Sequence, residues 1–153
     1  MTPTLAHEAS IPNPALAAFT PFIGTWTTEG HHPMIEGTLH GRTSFEWHEG
    51  GAYLCIRSEI DEPKIPSAIS YVGSDDQEGT YLMIYFDERG VSRHYEVSMD
   101  AGVMHWWRDA PGFRQRYTLT MSADGDTLHG RGELARDEDA WGPDLELTYT
   151  RVK

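Results

Sequence analysis

Cysteine is nearly absent from this chain: Cys55 alone among 153 residues. A single thiol cannot close an internal disulfide, which excludes a small disulfide-stapled scaffold. The apolar run around it, GAYLCIRSEI, reads Cys55 as a buried, inert side chain rather than a nucleophile. Long apolar stretches are also missing, since nothing approaches the ~20 residues a membrane-spanning helix needs. The opening MTPTLAHEASIPNP lacks both a basic region and an apolar stretch, so no secretory signal is read there. Basic clusters are absent too. With 12 Lys and Arg against 24 Asp and Glu, the formal charge is −12, which repels phosphate backbones and anionic lipid. Neither nucleic acid nor a membrane is therefore expected as partner, and the expected setting is reducing and cytoplasmic. Motifs for hydrolases, zinc enzymes and phosphate-cradling loops do not occur. DGDTLHG lacks the ligand series of a calcium loop.

What is present is a series of short β-branched and aromatic segments separated by turn-formers. Residues 1–12, with two of the prolines, read as a loose arm, and residues 13–153 as a single domain of adequate size for one core. NPALAAF suits one or two helical turns, with Asn13 as N-cap and Pro14 at the first position, ended by Pro21. Strands are predicted at Thr25–Gly30, Gly37–His48, Ala52–Ile60, Ser67–Gly73, Thr80–Asp87, Ser92–Asp100, Val103–Arg108, Arg114–Ser122, Thr127–Arg136 and Leu145–Val152. HEGG, SDDQEG, DERG, DAG, DAPG and SADGD punctuate them. Links this short make antiparallel hairpins rather than βαβ crossovers. About ten such strands predict an all-β, antiparallel up-and-down barrel with a short N-terminal helix, because closure removes exposed edges.

Alternation assigns faces where it is clean. In LELTYTRV, Leu145, Leu147 and Tyr149 share a face with Arg151. In FRQRYTLTM, Phe113, Gln115, Tyr117, Leu119 and Met121 oppose arginines and threonines. YLMIYF and VMHWW are apolar on both faces, which makes an outer covering by a loop or a second copy in a homodimer an expectation to test.

With the Gly24-x-Trp26 motif on the first strand, a short helix before it and Arg151 on the last strand, the chain resembles the calycin plan of lipocalins, fatty-acid-binding proteins and nitrobindin-like haem barrels. GTWTTEGHHPMIEG is similar to the opening of nitrobindin-like barrels. From WHEGGAYLCIRSEID to PGFRQRYTLTMSADGDTLHGRGE the chain resembles a family of bacterial calycin-like domains. The resemblance implies that Trp26 fills the closed end and that Arg151 lies over its indole as a structural plug. It also raises haem, whose proximal histidine in nitrobindin-like barrels lies near the last strand. That region here reads AWGPDLELTYTRVK, with Asp144 and no histidine after His129, and a carboxylate is not a usual haem ligand. His105 or His129 could substitute only through a different geometry, so no cofactor is expected.

The eight histidines do not assemble a metal site by spacing. His31 and His32 are adjacent, so a strand points them to opposite faces, and Pro33 suggests a turn after them. His40, His48, His94, His105 and His129 are dispersed. The leading expectation is a barrel that binds a small, largely apolar molecule in its lumen. Arg57, Gln115, Tyr117 and His105 would fix its polar end, Trp47, Tyr85 and Trp107 would form apolar walls, and Tyr95 and Arg131 complete the candidates. The alternative is a small-metabolite cyclase, isomerase or hydrolase with His105 or Glu59 as general acid or base.

Overall fold

The structure is a computed structural model that describes residues 10–75, 80–136 and 140–153. The chain forms ten antiparallel strands closed into an up-and-down barrel, each strand paired with its neighbours in sequence and β1 with β10. The strands are β1 Gly24–His32, β2 Ile35–His48, β3 Tyr53–Ile60, β4 Ala68–Asp75, β5 Thr80–Asp87, β6 Ser92–Asp100, β7 Val103–Ala110, β8 Phe113–Met121, β9 Thr127–Arg136 and β10 Gly142–Arg151. Every expected strand is present, with ends displaced by a few residues at most. No helix among the described residues is long and apolar enough to cross a membrane.

The N-terminal helix departs from expectation in one respect. Asn13 caps it through a bond from the Ala15 N–H, and Pro14 follows, but Pro21 lies within the Pro14–Phe22 span instead of ending it. The element is a tight 3-10 helix, in which side chains three apart eclipse one another. Leu16, Phe19 and Phe22 accordingly form one fully buried stripe that closes one end of the barrel. Phe19 packs edge-on against Tyr81, and Phe22 against Phe45. Of the expected arm at 1–12, residues 1–9 lie outside the described residues.

At this closed end Trp26 is fully buried, and its indole N–H donates to the Phe22 carbonyl at 3.0 Å. Arg151, its register partner on β10, holds its guanidinium carbon 4.2 Å from the indole ring centre. The same guanidinium donates to the carbonyls of Pro21, Ile23 and Gly125. Gly24 has a φ of +138°, and a Cβ there would lie 2.9 Å from an Arg151 nitrogen. The glycine of Gly-x-Trp is thus required both by its backbone and by the passing guanidinium.

The other end is open. It carries the end of β1, the starts of β2, β4, β6, β8 and β10, and the ends of β3, β5, β7 and β9. Here the ladder is incomplete. β6 pairs with β7 only from Glu96 opposite Trp107 to Asp100 opposite Val103, so Ser92–Tyr95 and Arg108–Ala110 run on without pairing to each other. Between β9 and β10 the register shifts between Pro143 and Glu146.

Candidate functional site

Register decides which side chains enter the lumen. Phe45 of β2 is buried and opposes Ile56 of β3, so Ile56 points inward and its neighbours Arg57 and Cys55 point outward. Tyr117 of β8 is buried and opposes both Trp106 of β7 and Gly132 of β9. A side chain at Gly130, next on the inner face of β9, has no room: a Cβ there would collide with the Tyr117 hydroxyl and lie 2.8 Å from the Tyr149 ring. Glycine at this position lets the two tyrosines meet, and their hydroxyls hydrogen-bond at 2.7 Å in full burial.

Above these tyrosines a cavity of about 220 Å³ runs to the open end. Its depth is apolar and aromatic, with Phe45, Ile56, Met83, Trp106, Tyr117 and Leu147 among its walls. Trp106 and Tyr117 stack at 4.6 Å between ring centres and 17° between planes.

The polar side chains collect toward the open end. The Gln115 side-chain oxygen accepts from Arg93 Nη1 and from the Tyr95 hydroxyl, both at 3.1 Å. Arg108, directly opposite Gln115 in register, lines the groove outside β5–β7 rather than this cavity, with its guanidinium carbon 6.0 Å from the Tyr95 ring centre. Its Nε is buried without a hydrogen-bond partner. On β10, Asp144 lines the same cavity, brought there where the register shifts. Its Oδ1 lies 3.1 Å from His32 Nε2, and the Met34 N–H donates to His32 Nδ1. That second bond makes Nδ1 an acceptor, so the neutral imidazole carries its proton on Nε2 and donates it to Asp144.

Burial pushes the Tyr95 phenol above its ordinary pKa, against the pull of Arg93 and Arg108. It also raises Tyr149, to about 12, and Tyr117 well above its usual value. All three are neutral hydrogen-bonding groups near neutral pH. Tyr85 is raised likewise by burial and then by its bond to Asp87, at 2.7 Å, while Arg89 holds the Asp87 carboxyl well below the usual carboxylate range.

Of the residues singled out from sequence, Tyr85, Tyr95, Gln115 and Tyr117 line this cavity together. Trp47 faces inward but packs on the core beside Leu54, its register partner, rather than lining the cavity. The placement of the others corrects the expectation that they enter the lumen. Arg57, Glu59, His105 and Arg131 are exposed on the outer surface, each one position out of phase with a lumen residue. His105 bonds Thr118 there. Trp107 lines a groove outside β5–β7, together with Leu82, Ile84 and Phe86. Cys55 is buried on the outer side, and burial raises its thiol pKa.

Trp106, Arg108, Asp144, Tyr149 and His32 were not among the expected site residues. Alternation already put Tyr149 on the inner face of its strand, but it carries no comparable signal for Trp106 or Arg108, whose strand is apolar on both faces. Asp144 and His32 meet only through the β1–β10 closure.

The cavity does not suit a haem held by an axial imidazole. Among the described residues no histidine lines it, His129 is exposed and engages Glu146, and both ring nitrogens of His32 are already hydrogen-bonded. Among the described residues, no group of three or more His, Cys, Asp or Glu side chains could hold a metal ion.

The sequence matches no protein-family profile and no curated protein. Among solved structures the chain is similar to Rv2717c from M. tuberculosis, with a TM-score of 0.63 and 16% identity over 94% of this chain and 100% of that one. A likeness at that identity is one of fold alone.

Proposed function

We propose that this barrel binds a small, largely apolar molecule in its lumen, with the molecule's polar end at Arg93, Tyr95 and Gln115. The observation that carries this reading is the cavity itself, apolar and aromatic in its depth with polar groups converging at its mouth. Ligand pockets have this composition, since apolar walls supply affinity and a few fixed polar groups supply orientation. The Gly24-x-Trp26 strand, the capping helix and Arg151 over the indole favour a calycin-type barrel. The lone Cys55 suits a reducing, cytoplasmic setting.

Native mass spectrometry of the purified protein tests the binding reading. A co-purifying small molecule is expected, and it should be lost in Ala68→Phe, which fills the lumen from β4 while circular dichroism confirms a folded barrel. A wild-type protein that carries nothing and gains no thermal stability from any member of a small-molecule library would overturn the reading.

A further inference from the structure

The depth of the lumen leaves one hydroxyl proton without an acceptor. Tyr117 and Tyr149 are both buried, and both line the cavity. Their hydroxyls bond each other at 2.7 Å, and among the described residues neither has a further hydrogen-bond partner. Two hydroxyls carry two protons, and the bond between them uses one. Whichever tyrosine accepts therefore keeps a proton that no group of the chain takes, and a buried donor in that state is unfavourable. The wall behind the pair is closed, since even a Cβ on Gly130 would collide with the Tyr117 hydroxyl. The cavity is the side from which an acceptor can come. Thr28, the register partner of Tyr149 on β1, is buried with its Oγ1 also unpartnered, but it does not line the cavity. A molecule in the lumen thus meets the tyrosines and not Thr28.

The surroundings fix the charge of that acceptor. Among the described residues, the charged side chains lining the cavity are Arg93 and Asp144, both toward the open end. No cation therefore stands beside the tyrosines, and a buried anion without one is strongly unfavourable. Burial, the Tyr149 hydroxyl and then the carboxylates of Asp144 and Glu146 all push the Tyr117 phenol up. The field that disfavours a phenolate there disfavours an anionic ligand group equally. An uncharged oxygen takes the proton without that cost. Size narrows the class further: an apolar cavity of ~150 Å³ accepts a benzene, so about 220 Å³ suits one ring with small substituents.

Resting on the lumen-binding reading above, we infer that the ligand is a single-ring molecule whose inner end is an uncharged hydrogen-bond acceptor, a carbonyl oxygen in the simplest case, held by the Tyr117–Tyr149 pair. Its ring packs among Phe45, Met83 and Trp106. Any charged group it carries lies at the opposite, open end, where Arg93 and Gln115 stand.

Titration calorimetry of the full chain with acetophenone and isopropenylbenzene tests this inference. The two probes have nearly the same shape, but only the ketone carries an oxygen acceptor. Tyr117→Phe combined with Tyr149→Phe removes both partners of one bond, a change close to neutral for stability. It should weaken acetophenone about fivefold, the scale of one neutral hydrogen bond, and leave isopropenylbenzene unchanged. Each single substitution leaves one hydroxyl, so at least one single variant should keep most of the affinity for acetophenone and thereby name the donor. The carbonyl stretch of bound acetophenone, read by infrared difference spectroscopy, should lie lower in the wild type than in the double variant. Should the double variant fail to fold, the single variants and their carbonyl stretches carry the same test. Equal weakening of both probes would mean that the hydroxyls act only through their volume. No effect on either would mean that the spare proton serves only a buried water. Either result, loss of acetophenone in both single variants, or no binding of acetophenone to the wild type overturns the inference. Isopropenylbenzene that binds the wild type and is excluded by Ala68→Phe upholds the lumen reading separately.

Discussion

The two ends of the barrel treat their arginines in opposite ways. At the closed end, Arg151 lies over Trp26 and spends its N–H groups on three backbone carbonyls. At the open end, Arg108 has a buried Nε that bonds nothing, and Arg93 bonds a neutral amide oxygen and lies 5.7 Å from the Phe113 ring centre. The same side chain therefore serves as a fastener where all three of its nitrogens meet acceptors, and as an unmet demand where one nitrogen is buried without any. Satisfied buried polar groups rigidify a structure, whereas unsatisfied ones mark positions kept for another purpose than stability.

Trp26→Ala breaks the contrast most severely. Losing a fully buried indole should destabilise the protein by about 3–5 kcal/mol in equilibrium denaturation. A loss below about 1 kcal/mol, the scale of a surface substitution, would show that the closed end is not where stability resides. Gly130→Ala comes next, because its new methyl collides with the Tyr117–Tyr149 pair. Overpacking of this kind destabilises by about 1–3 kcal/mol, and Tyr117→Leu in the same chain should recover part of it. No coupling between the two substitutions would show that Gly130 is not kept free for Tyr117.

Alkaline pH sharpens the comparison from within the core. Tyr149 holds its proton up to about 12 in the folded state because burial disfavours the phenolate. Its unfolded pKa is about 10, so between these values the folded state binds more protons and stability falls as pH rises. The Tyr149 contribution is complete below pH 10 and is lost toward pH 12, and Tyr149→Phe should flatten the decline measured by denaturation at successive pH values.

Arg108→Met runs the other way and is expected to stabilise. It removes a buried nitrogen without a partner while keeping much of the side chain's volume, and a gain of about 1 kcal/mol in stability is the scale for such a change. Thermal unfolding measures it. A lower melting temperature would mean that Arg108 fastens the open end as Arg151 fastens the closed one. The smallest effect is kinetic. Raising ionic strength should screen the protein's negative surface and speed association of an anionic ligand in stopped-flow mixing. A rate that falls with added salt would mean that the arginines, not the net charge, govern approach.

Strand number and order were legible in the chain because turn chemistry and period-2 alternation are local properties, and each strand boundary carries its own signal. The candidate site was legible only in part. β8 alternates cleanly, so Gln115 and Tyr117 could be placed on one face by inspection. β7 is apolar on both faces, so VMHWW does not distinguish the phase that buries Trp106 and Arg108 from the phase that buries His105 and Trp107. Pairing with β8 makes that choice, since Trp106 opposes the buried Tyr117. Arg57 was misplaced for the same reason, and the register of Ile56 opposite Phe45 resolves it.

By itself, the sequence determined the all-β class, the positions of ten strands and the helix cap at Asn13, because these follow from backbone preferences over a few residues. Only the tertiary structure decided which faces turn inward, and it alone brought His32 to Asp144 across the β1–β10 seam and left the Arg108 Nε without a hydrogen-bond partner. Those outcomes depend on pairing between strands distant in sequence, where a shift of one residue exchanges the lumen for the solvent.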